Sequence, residues 1–137
     1  MRQVVVDTNV LVSFLTDRDA SQQEQADQLF EAAADGRLAL MLHQSVITEL
    51  IYVLTRLYGL DGAEVAAALG DLLAMPGVVT VDEIVWPLVL DIWPETISGF
   101  ADAILVAVSQ AGRFETIATF DLKLAGSLKR HRLSSFW

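Results

Sequence analysis

The 137-residue sequence contains no cysteine, only two histidines, and half as many basic as acidic residues. Without cysteine the protein has no disulfide bond, no thiol nucleophile and no thiolate metal site, and two histidines cannot build an all-histidine zinc site. Any bound metal ion must therefore have oxygen ligands. The 9 Lys and Arg against 18 Asp and Glu give a formal net charge of -9, which argues against a protein that coats nucleic acid through a cationic surface.

Long apolar runs are also missing, although 53% of the residues are hydrophobic. The run Val4-Val5-Val6 ends at Asp7, well short of the roughly 7 to 15 apolar residues in the core of a signal peptide. No uncharged stretch approaches the roughly 20 apolar residues that span a bilayer. Because the hydrophobic fraction is too high for a disordered chain, we expect one domain, residues 1–137, with a sizeable core, in a cytoplasmic protein that has no membrane contact.

Apolar segments of strand length alternate along the chain with segments of helical periodicity. Strands are predicted at residues 4–6, 38–42, 78–81 and 116–118, with a fifth, edge strand near 133–137. Helices are predicted at about residues 10–15, 21–35, 46–58, 61–75, 84–93 and 100–111. The first strand has no polar alternation, which is typical of a strand covered on both faces of a parallel sheet. The alternation predicts an α/β fold with a central, mainly parallel sheet of four or five strands.

Local signals predict where several helices begin. Ser21 with Glu24, and Asp61 with Glu64, match the capping-box spacing, in which each side chain satisfies an otherwise unpaired backbone amide. Pro87 must either begin the fifth predicted helix or kink it, because proline has no amide hydrogen to donate.

Two acids stand at the ends of apolar strands. Asp7 follows Val4-Val5-Val6, and Asp121 follows the strand at 116–118. Ligands bind at the carboxyl ends of strands in an open parallel sheet, so both acids are candidate site residues. The alternative for Asp7 is an N-cap of the next helix, and the alternative for Asp121 is an ion pair with Lys123.

Two further acids interrupt apolar helices. Glu49 has no cation three or four residues away, and neither has Asp102. An unpaired charge at the edge of a buried helix is costly. The first helical turn favours an anion such as Asp102 by only about 0.3 to 1 kcal/mol. The alternative for both acids is an ion pair with a distant arginine.

The four acids share one explanation. Strand ends and helix starts converge on one edge of a doubly wound sheet, where four carboxylates would repel one another unless cations lay between them. All-oxygen ligation suits Mg²⁺ or Mn²⁺, and such a site supports phosphodiester hydrolysis. Thr8, Asn9 and Thr119 are candidates to orient these carboxylates or a bound water, although turn and cap chemistry would also explain them.

Four segments around these acids resemble the PIN-domain ribonucleases, and specifically the VapC toxins of bacterial and archaeal toxin–antitoxin pairs. The segments are Val4-Val5-Val6-Asp7-Thr8-Asn9-Val10-Leu11-Val12, Ser45-Val46-Ile47-Thr48-Glu49-Leu50, Phe100-Ala101-Asp102-Ala103-Ile104-Leu105 and Thr119-Phe120-Asp121. The resemblance covers nearly the whole chain. It implies a three-layer α/β/α fold, a Mg²⁺- or Mn²⁺-dependent endoribonuclease that leaves 5′-phosphate and 3′-hydroxyl ends, a homodimer, and inhibition by a VapB-type antitoxin. By this resemblance Asp7, Glu49, Asp102 and Asp121 are the metal ligands and catalytic residues.

Some features depart from the family pattern or stay open. Trp86-Pro87 and Trp93-Pro94 interrupt a region that is usually one unbroken helix in relatives. The basic cluster Lys129-Arg130-His131-Arg132 either contacts RNA phosphates or forms a solvated surface. The apolar segments 11–15 and 50–57 either contact a second copy or an antitoxin, or pack in the core.

Two other functions fit the sequence in part. A phosphatase of the haloacid dehalogenase type also begins with a strand and an aspartate, but it needs a second aspartate two residues later, where this sequence has Asn9. A catalytically inactive PIN-like binding module, whose acids pair with an Arg-rich partner, would not need all four acids. Both alternatives therefore explain the sequence less well than a nuclease does.

Overall fold

The first strand, β1 (Arg2–Val6), lies at the centre of a five-stranded sheet in the computed structural model, which describes residues 1–137. The sheet order is β3-β2-β1-β4-β5, and every neighbouring pair is parallel. The other strands are β2 (Leu38–His43), β3 (Val78–Val81), β4 (Thr116–Ala118) and β5 (Ser134–Ser135). The predicted parallel sheet is confirmed, and so is its fifth, edge strand.

Helices cover both faces of this sheet. Successive side chains of a strand point to opposite faces, yet all six residues of β2 and the last three of β1 are buried. The helices are α1 (Thr8–Leu15), α2 (Ala20–Ala34), α3 (Gln44–Tyr52), α4 (Gly62–Ala74), α5 (Trp86–Ile92), α6 (Phe100–Gly112) and α7 (Leu122–Ser127). The result is the expected three-layer α/β/α arrangement. None of these helices has both the length and the apolar character to cross a membrane.

One hydrophobic cluster of 34 buried residues joins the sheet to the helices. Helix α6 is its most deeply buried helix, because every residue from Ala103 to Ser109 is buried. A helix that is apolar all round belongs in the interior. Asp102 is the last partly exposed residue of α6 before this buried stretch begins.

The start of α2 differs from its prediction. The helix begins at Ala20, so Asp19 is its N-cap, and the Asp19 carboxylate accepts a 3.0 Å hydrogen bond from the amide of Gln22. The predicted capping box of Ser21 and Glu24 is therefore wrong, because both residues lie inside the helix. Asp61 does cap α4 as predicted, and Pro87 stands in the first turn of α5, where a missing amide costs nothing.

The predicted helix at residues 46–58 has two parts. Helix α3 begins earlier, at Gln44, and a π-helical turn at Val53–Leu57 continues it. Its sequence is apolar nearly all round, but Tyr52 and Leu57 are exposed while Leu50 is buried. One face of α3 and its π-helical turn therefore presents apolar side chains to solvent.

The other predicted contact segment, residues 11–15, lies mostly in the core. Leu11 is 0% exposed and Val12 is 2% exposed. Core packing is therefore the correct interpretation for these two residues, and only Phe14 and Leu15 keep partial exposure.

Candidate functional site

All four acids singled out in the sequence line one cavity of about 350 Å³. Asp7 follows β1 and Asp121 follows β4, and these neighbouring strands are tied at their ends by a 2.9 Å hydrogen bond from the amide of Asp7 to the carbonyl of Ala118. Glu49 comes from α3 and Asp102 from the first turn of α6. The sheet order thus brings together residues that are far apart in the chain, at the edge where parallel strands leave room for ligands.

Three hydrogen bonds hold the carboxylate of Asp7, which is only 9% exposed. Its Oδ1 accepts from the amide of Thr8 at 2.8 Å, so Asp7 is the N-cap of α1. Its Oδ2 accepts from the hydroxyl of Thr119 at 2.7 Å and from the side-chain amide of Asn9 at 3.2 Å. The cap and the cavity wall are two roles of the same residue.

Asn9 and Thr119 also stabilise the turn after β4 by hydrogen bonds. The Asn9 Oδ1 accepts from the amide of Phe120 at 3.1 Å, and the Thr119 Oγ1 accepts from the amide of Asp121 at 3.0 Å. The sequence left two interpretations of Asn9 and Thr119 open, and both are correct. These residues orient a site carboxylate, and they also stabilise a turn.

Thr8 behaves differently from these two residues. Its side chain is buried, it lines the cavity, and its Oγ1 has no hydrogen-bond partner in the protein. A buried hydroxyl without a partner costs about 1 to 3 kcal/mol. The Thr8 hydroxyl is therefore a buried polar group of a cavity-lining residue that the protein leaves without a hydrogen-bond partner.

Asp121 caps α7 with one of its two oxygens. Oδ1 accepts from the amides of Lys123 at 2.9 Å and Leu124 at 3.2 Å, while Oδ2 has no partner. The alternative ion pair with Lys123 is absent, because that ammonium group donates instead to the Ser98 hydroxyl at 3.4 Å.

Asp102 has no hydrogen-bond partner in the protein, although it is half-buried. Burial is the main cause that raises its pKa to about 6, followed by the charges of Asp7, Asp121 and Glu49, while Lys123 lowers it. Gly99 at the N-cap of α6 leaves room for this carboxylate, since a Cβ there would lie 3.1 Å from the Asp102 Oδ2. The cavity thus accommodates a carboxylate that forms no salt bridge, although the charge of Lys123 partly offsets its own.

The pKa of the Asp7 carboxyl is raised as well. Burial is again the largest cause, and the charges of Glu49 and Asp121 add to it, although the hydrogen bonds from Thr119 and Thr8 work in the opposite direction. A bound cation would offset this mutual repulsion among the carboxylates.

Glu49 requires a correction. Its place in an apolar helix predicted a costly, partly buried charge, but the side chain is exposed on the solvent side of α3. The cost of burial therefore does not single out Glu49. Its place in the site rests on geometry alone, because it lines the same cavity as the other three acids.

Residues 4–126 match the family model of the PIN domain, and this range contains all four acids. The chain belongs to the PIN domain family. Among solved structures, this PIN domain is similar to VapC20 of Mycobacterium tuberculosis, which is described as a sarcin–ricin loop cleaving toxin. The two share 23% sequence identity with a TM-score of 0.67, over 90% of this chain and 94% of that chain. The comparison with curated proteins found no match.

The donor set of this PIN domain fits a hard divalent cation. The cavity offers four carboxylates and the free hydroxyl of Thr8, and none of these carboxylates forms a salt bridge. As they stand, no three His, Cys, Asp or Glu side chains are close enough together to hold a metal ion. Asp102 and Glu49 make no hydrogen bonds within the protein, so no such bond holds their side chains in their present orientation.

The basic cluster at residues 129–132 lies away from this cavity. His131 and Arg132 line a separate cavity of about 360 Å³ with Gln110 and Arg113, at the far end of α6. None of the residues Lys129, Arg130, His131 and Arg132 lines the carboxylate cavity, so the cluster is not part of the carboxylate site.

Sequence reasoning missed the one cation of the cavity wall, Arg18. It stands between Asp17 and Asp19 in a polar stretch between two predicted helices. No local signal distinguishes this arginine from a solvated one, because the groups that hold it come from two different helices.

Proposed function

We propose that this PIN domain is a metal-dependent endoribonuclease and the toxin of a VapBC-type toxin–antitoxin pair. The observation that carries the proposal is the cavity itself, in which four carboxylates from four separate elements face one another without a salt bridge. The VapC20 toxin, described as cleaving the sarcin–ricin loop, shares the fold and suggests structured RNA as the substrate class.

In this proposal Asp7, Glu49, Asp102 and Asp121 together hold Mg²⁺ or Mn²⁺. When bound, the cation supplies charge neutralisation at the phosphate and activation of a water molecule. Asp7 is fixed in place by Thr119 and Asn9. With its pKa at about 6, Asp102 is ionised and ready to act as a ligand at neutral pH. Thr8 adds a free hydroxyl beside them.

The exposed apolar face of α3 and its π-helical turn is the proposed contact for a VapB-type antitoxin. Leu57 is 70% exposed and Tyr58 is 41% exposed, and both also line the carboxylate cavity. A protein partner that covers these side chains would close the cavity at the same time. We also propose a homodimer, for which the exposed side chains Trp86 and Leu90 of α5 are available.

The test is an RNA cleavage assay with Mg²⁺, Mn²⁺ or EDTA, using total RNA and a synthetic sarcin–ricin loop hairpin. Asp7→Asn and Asp102→Asn should each lower kcat by on the order of 10² to 10³, as when one group that stabilises transition-state charge is removed. Asp71→Asn is the matched control, because Asp71 is exposed on α4 and outside the cavity.

Cleavage in EDTA, or full activity in both variants, would contradict the proposed site. A wild-type protein that binds RNA or an Arg-rich peptide but cuts no RNA with either metal would instead support the alternative, a catalytically inactive PIN-like binding module. The oligomeric state is measured separately by light scattering, with Trp86→Ser as the variant expected to weaken a dimer.

A further inference from the structure

Arg18 is held in a fixed orientation at the wall of the carboxylate cavity. Its Nε donates to the hydroxyl of Ser13 at 3.0 Å, and its Nη2 donates to the carbonyl of Asn9 at 3.1 Å and to the Oε1 of Gln22 at 3.3 Å. The third nitrogen, Nη1, has no partner in the protein. One edge of the guanidinium is therefore anchored and the other is free.

The anchor of Arg18 is itself rigid. Ser13 is fully buried in α1, and its hydroxyl donates at 3.1 Å to the same Gln22 oxygen that accepts from Arg18. Ser13, Arg18 and Gln22 thus form a closed network that ties α1 to α2. A side chain held this way loses little further freedom when a ligand binds to its free edge.

Every partner of Arg18 is electrically neutral, which is unusual for an arginine among so many acids. Asp19 is committed to capping α2, and the only salt bridge of the protein joins Arg37 to Asp35 elsewhere. Arg18 is also not among the charges that shift the pKa of Asp102. It therefore keeps a full positive charge that does not neutralise the site carboxylates.

A second cation borders the site on another side. Lys123 lines an adjoining cavity of about 210 Å³ together with Ser98 and Ser127, and this cavity shares Asp102 with the first one. The ammonium group of Lys123 also has a neutral partner, the hydroxyl of Ser98. Asp102 consequently lies between two cavities, each of which contains one cation that forms no salt bridge, although the charge of Lys123 lowers the pKa of Asp102.

We propose that the RNA backbone crosses the site from Arg18 to Lys123, and that these two cations bind the phosphates on either side of the one that is cleaved. A free guanidinium edge and an ammonium group are the common protein ligands of phosphate oxygens. The inference rests on the proposed ribonuclease function and adds the path of the substrate. Arg18 and Lys123 are substrate-positioning residues, and they explain how an acidic protein holds a polyanion.

The test measures binding rather than cleavage, so it does not depend on catalysis. A fluorescein-labelled 12-nucleotide oligouridine is titrated in EDTA at several salt concentrations, with the wild type, Arg18→Gln, Lys123→Gln and the double variant. Each single variant should bind at least about tenfold more weakly, as expected for loss of one charge-assisted contact. The slope of log Kd against log salt concentration should fall by about 0.7 for each phosphate contact removed from a single strand.

The matched control is the pair Lys129→Gln and Arg130→Gln, which removes two exposed cations that line neither cavity and should leave the slope unchanged. Calorimetric Mn²⁺ affinity should also be unchanged in Arg18→Gln, which separates loss of RNA contact from damage to the carboxylates. If the protein cleaves RNA but Arg18→Gln and Lys123→Gln keep the salt slope of the wild type, the proposed RNA path is wrong and the ribonuclease function is unaffected. Reduced slopes in a protein that never cleaves would support the two phosphate contacts but contradict the ribonuclease function.

Discussion

The carboxylate cavity has two halves that differ in how the protein holds them. In the strand-end half, Asp7 and Asp121 follow neighbouring strands, and each caps the helix that comes next. In the helix half, Asp102 and Glu49 accept no hydrogen bond from the protein. Folding therefore satisfies the first pair and leaves the second pair for a ligand to satisfy.

This difference has a physical cause. A residue at the end of a parallel strand meets the unpaired amides of the following helix, so a carboxylate there stabilises the fold whether or not an ion is bound. A carboxylate on an apolar helix gains nothing comparable, and Asp102 sits in a partly buried place where burial raises its pKa. Burial raises the pKa of Asp7 as well, but the hydrogen bonds from Thr8, Thr119 and Asn9 offset that cost, whereas Asp102 has no such bonds. The hydrogen bonds of the strand-end half should therefore contribute to stability, while the buried charge of Asp102 should oppose it.

The largest expected difference in stability is between Asp7→Ala and Asp102→Ala. Asp7→Ala removes an N-cap and leaves the donors of Thr119 and Asn9 without their acceptor, which should cost about 2 kcal/mol of unfolding free energy. Asp102→Ala should cost none in EDTA. Urea denaturation of both variants measures the unfolding free energy. Equal losses in the two variants would contradict the proposed difference between the two halves.

The next prediction concerns pH. The Asp102 carboxyl binds its proton more tightly in the folded protein, with a pKa of about 6 against 3.8 in its ordinary state. Its contribution favours the folded state at low pH and is lost as the pH rises from about 4 to 6. The raised pKa of Asp7 acts in the same direction.

The checking measurement is the Tm in EDTA at pH 5 and pH 7, for the wild type and for Asp102→Asn. The lowered pKa of His131 has the opposite effect on stability, so the difference between the two proteins isolates Asp102. Asp102→Asn should gain Tm relative to the wild type at pH 7 and gain less at pH 5. Mg²⁺ should stabilise only the wild type at pH 7.

The same contrast between a satisfied and an unsatisfied group applies to Thr119 and Thr8, with smaller expected effects. Thr119→Val removes a 2.7 Å hydrogen bond to Asp7, which should cost about 1 kcal/mol and lower metal affinity by about 10- to 100-fold. Thr8→Val removes a buried hydroxyl that has no partner, so it should weaken metal binding without lowering stability. Urea denaturation and Mn²⁺ calorimetry together test this, and a destabilised Thr8→Val would show that its hydroxyl has a structural role.

The smallest effect is expected for Glu49→Gln. The side chain is exposed and has no partner, so unfolding free energy should stay within about 0.5 kcal/mol of the wild type. Mn²⁺ affinity should fall less than in Asp102→Asn, because Glu49 is free to swing into solvent. If calorimetry shows a larger loss of Mn²⁺ affinity in Glu49→Gln than in Asp102→Asn, then Glu49 is the more important of the two ligands on helices.

Local patterns in the sequence were enough to find the strands, most helices and the four acids. They failed where a contact depends on partners that are distant in the chain. The start of α2 was misplaced because Ser21 and Asp19 are both good caps, and only the helix geometry selects Asp19. The burial of Glu49 was wrong because an apolar helix on the surface has the same sequence pattern as one in the interior.

The sequence by itself determined that any metal here has oxygen ligands, that Val4-Val5-Val6 is a central strand, and that acids stand where strands and helices meet. Only the tertiary structure decided that Thr119 holds Asp7 across 112 residues of sequence, that Asp102 is left without a partner, and that Arg18 has neutral partners. The reason is physical. Periodicity records which residues avoid water along one element, whereas the contacts of a site arise from the order in which the strands pair.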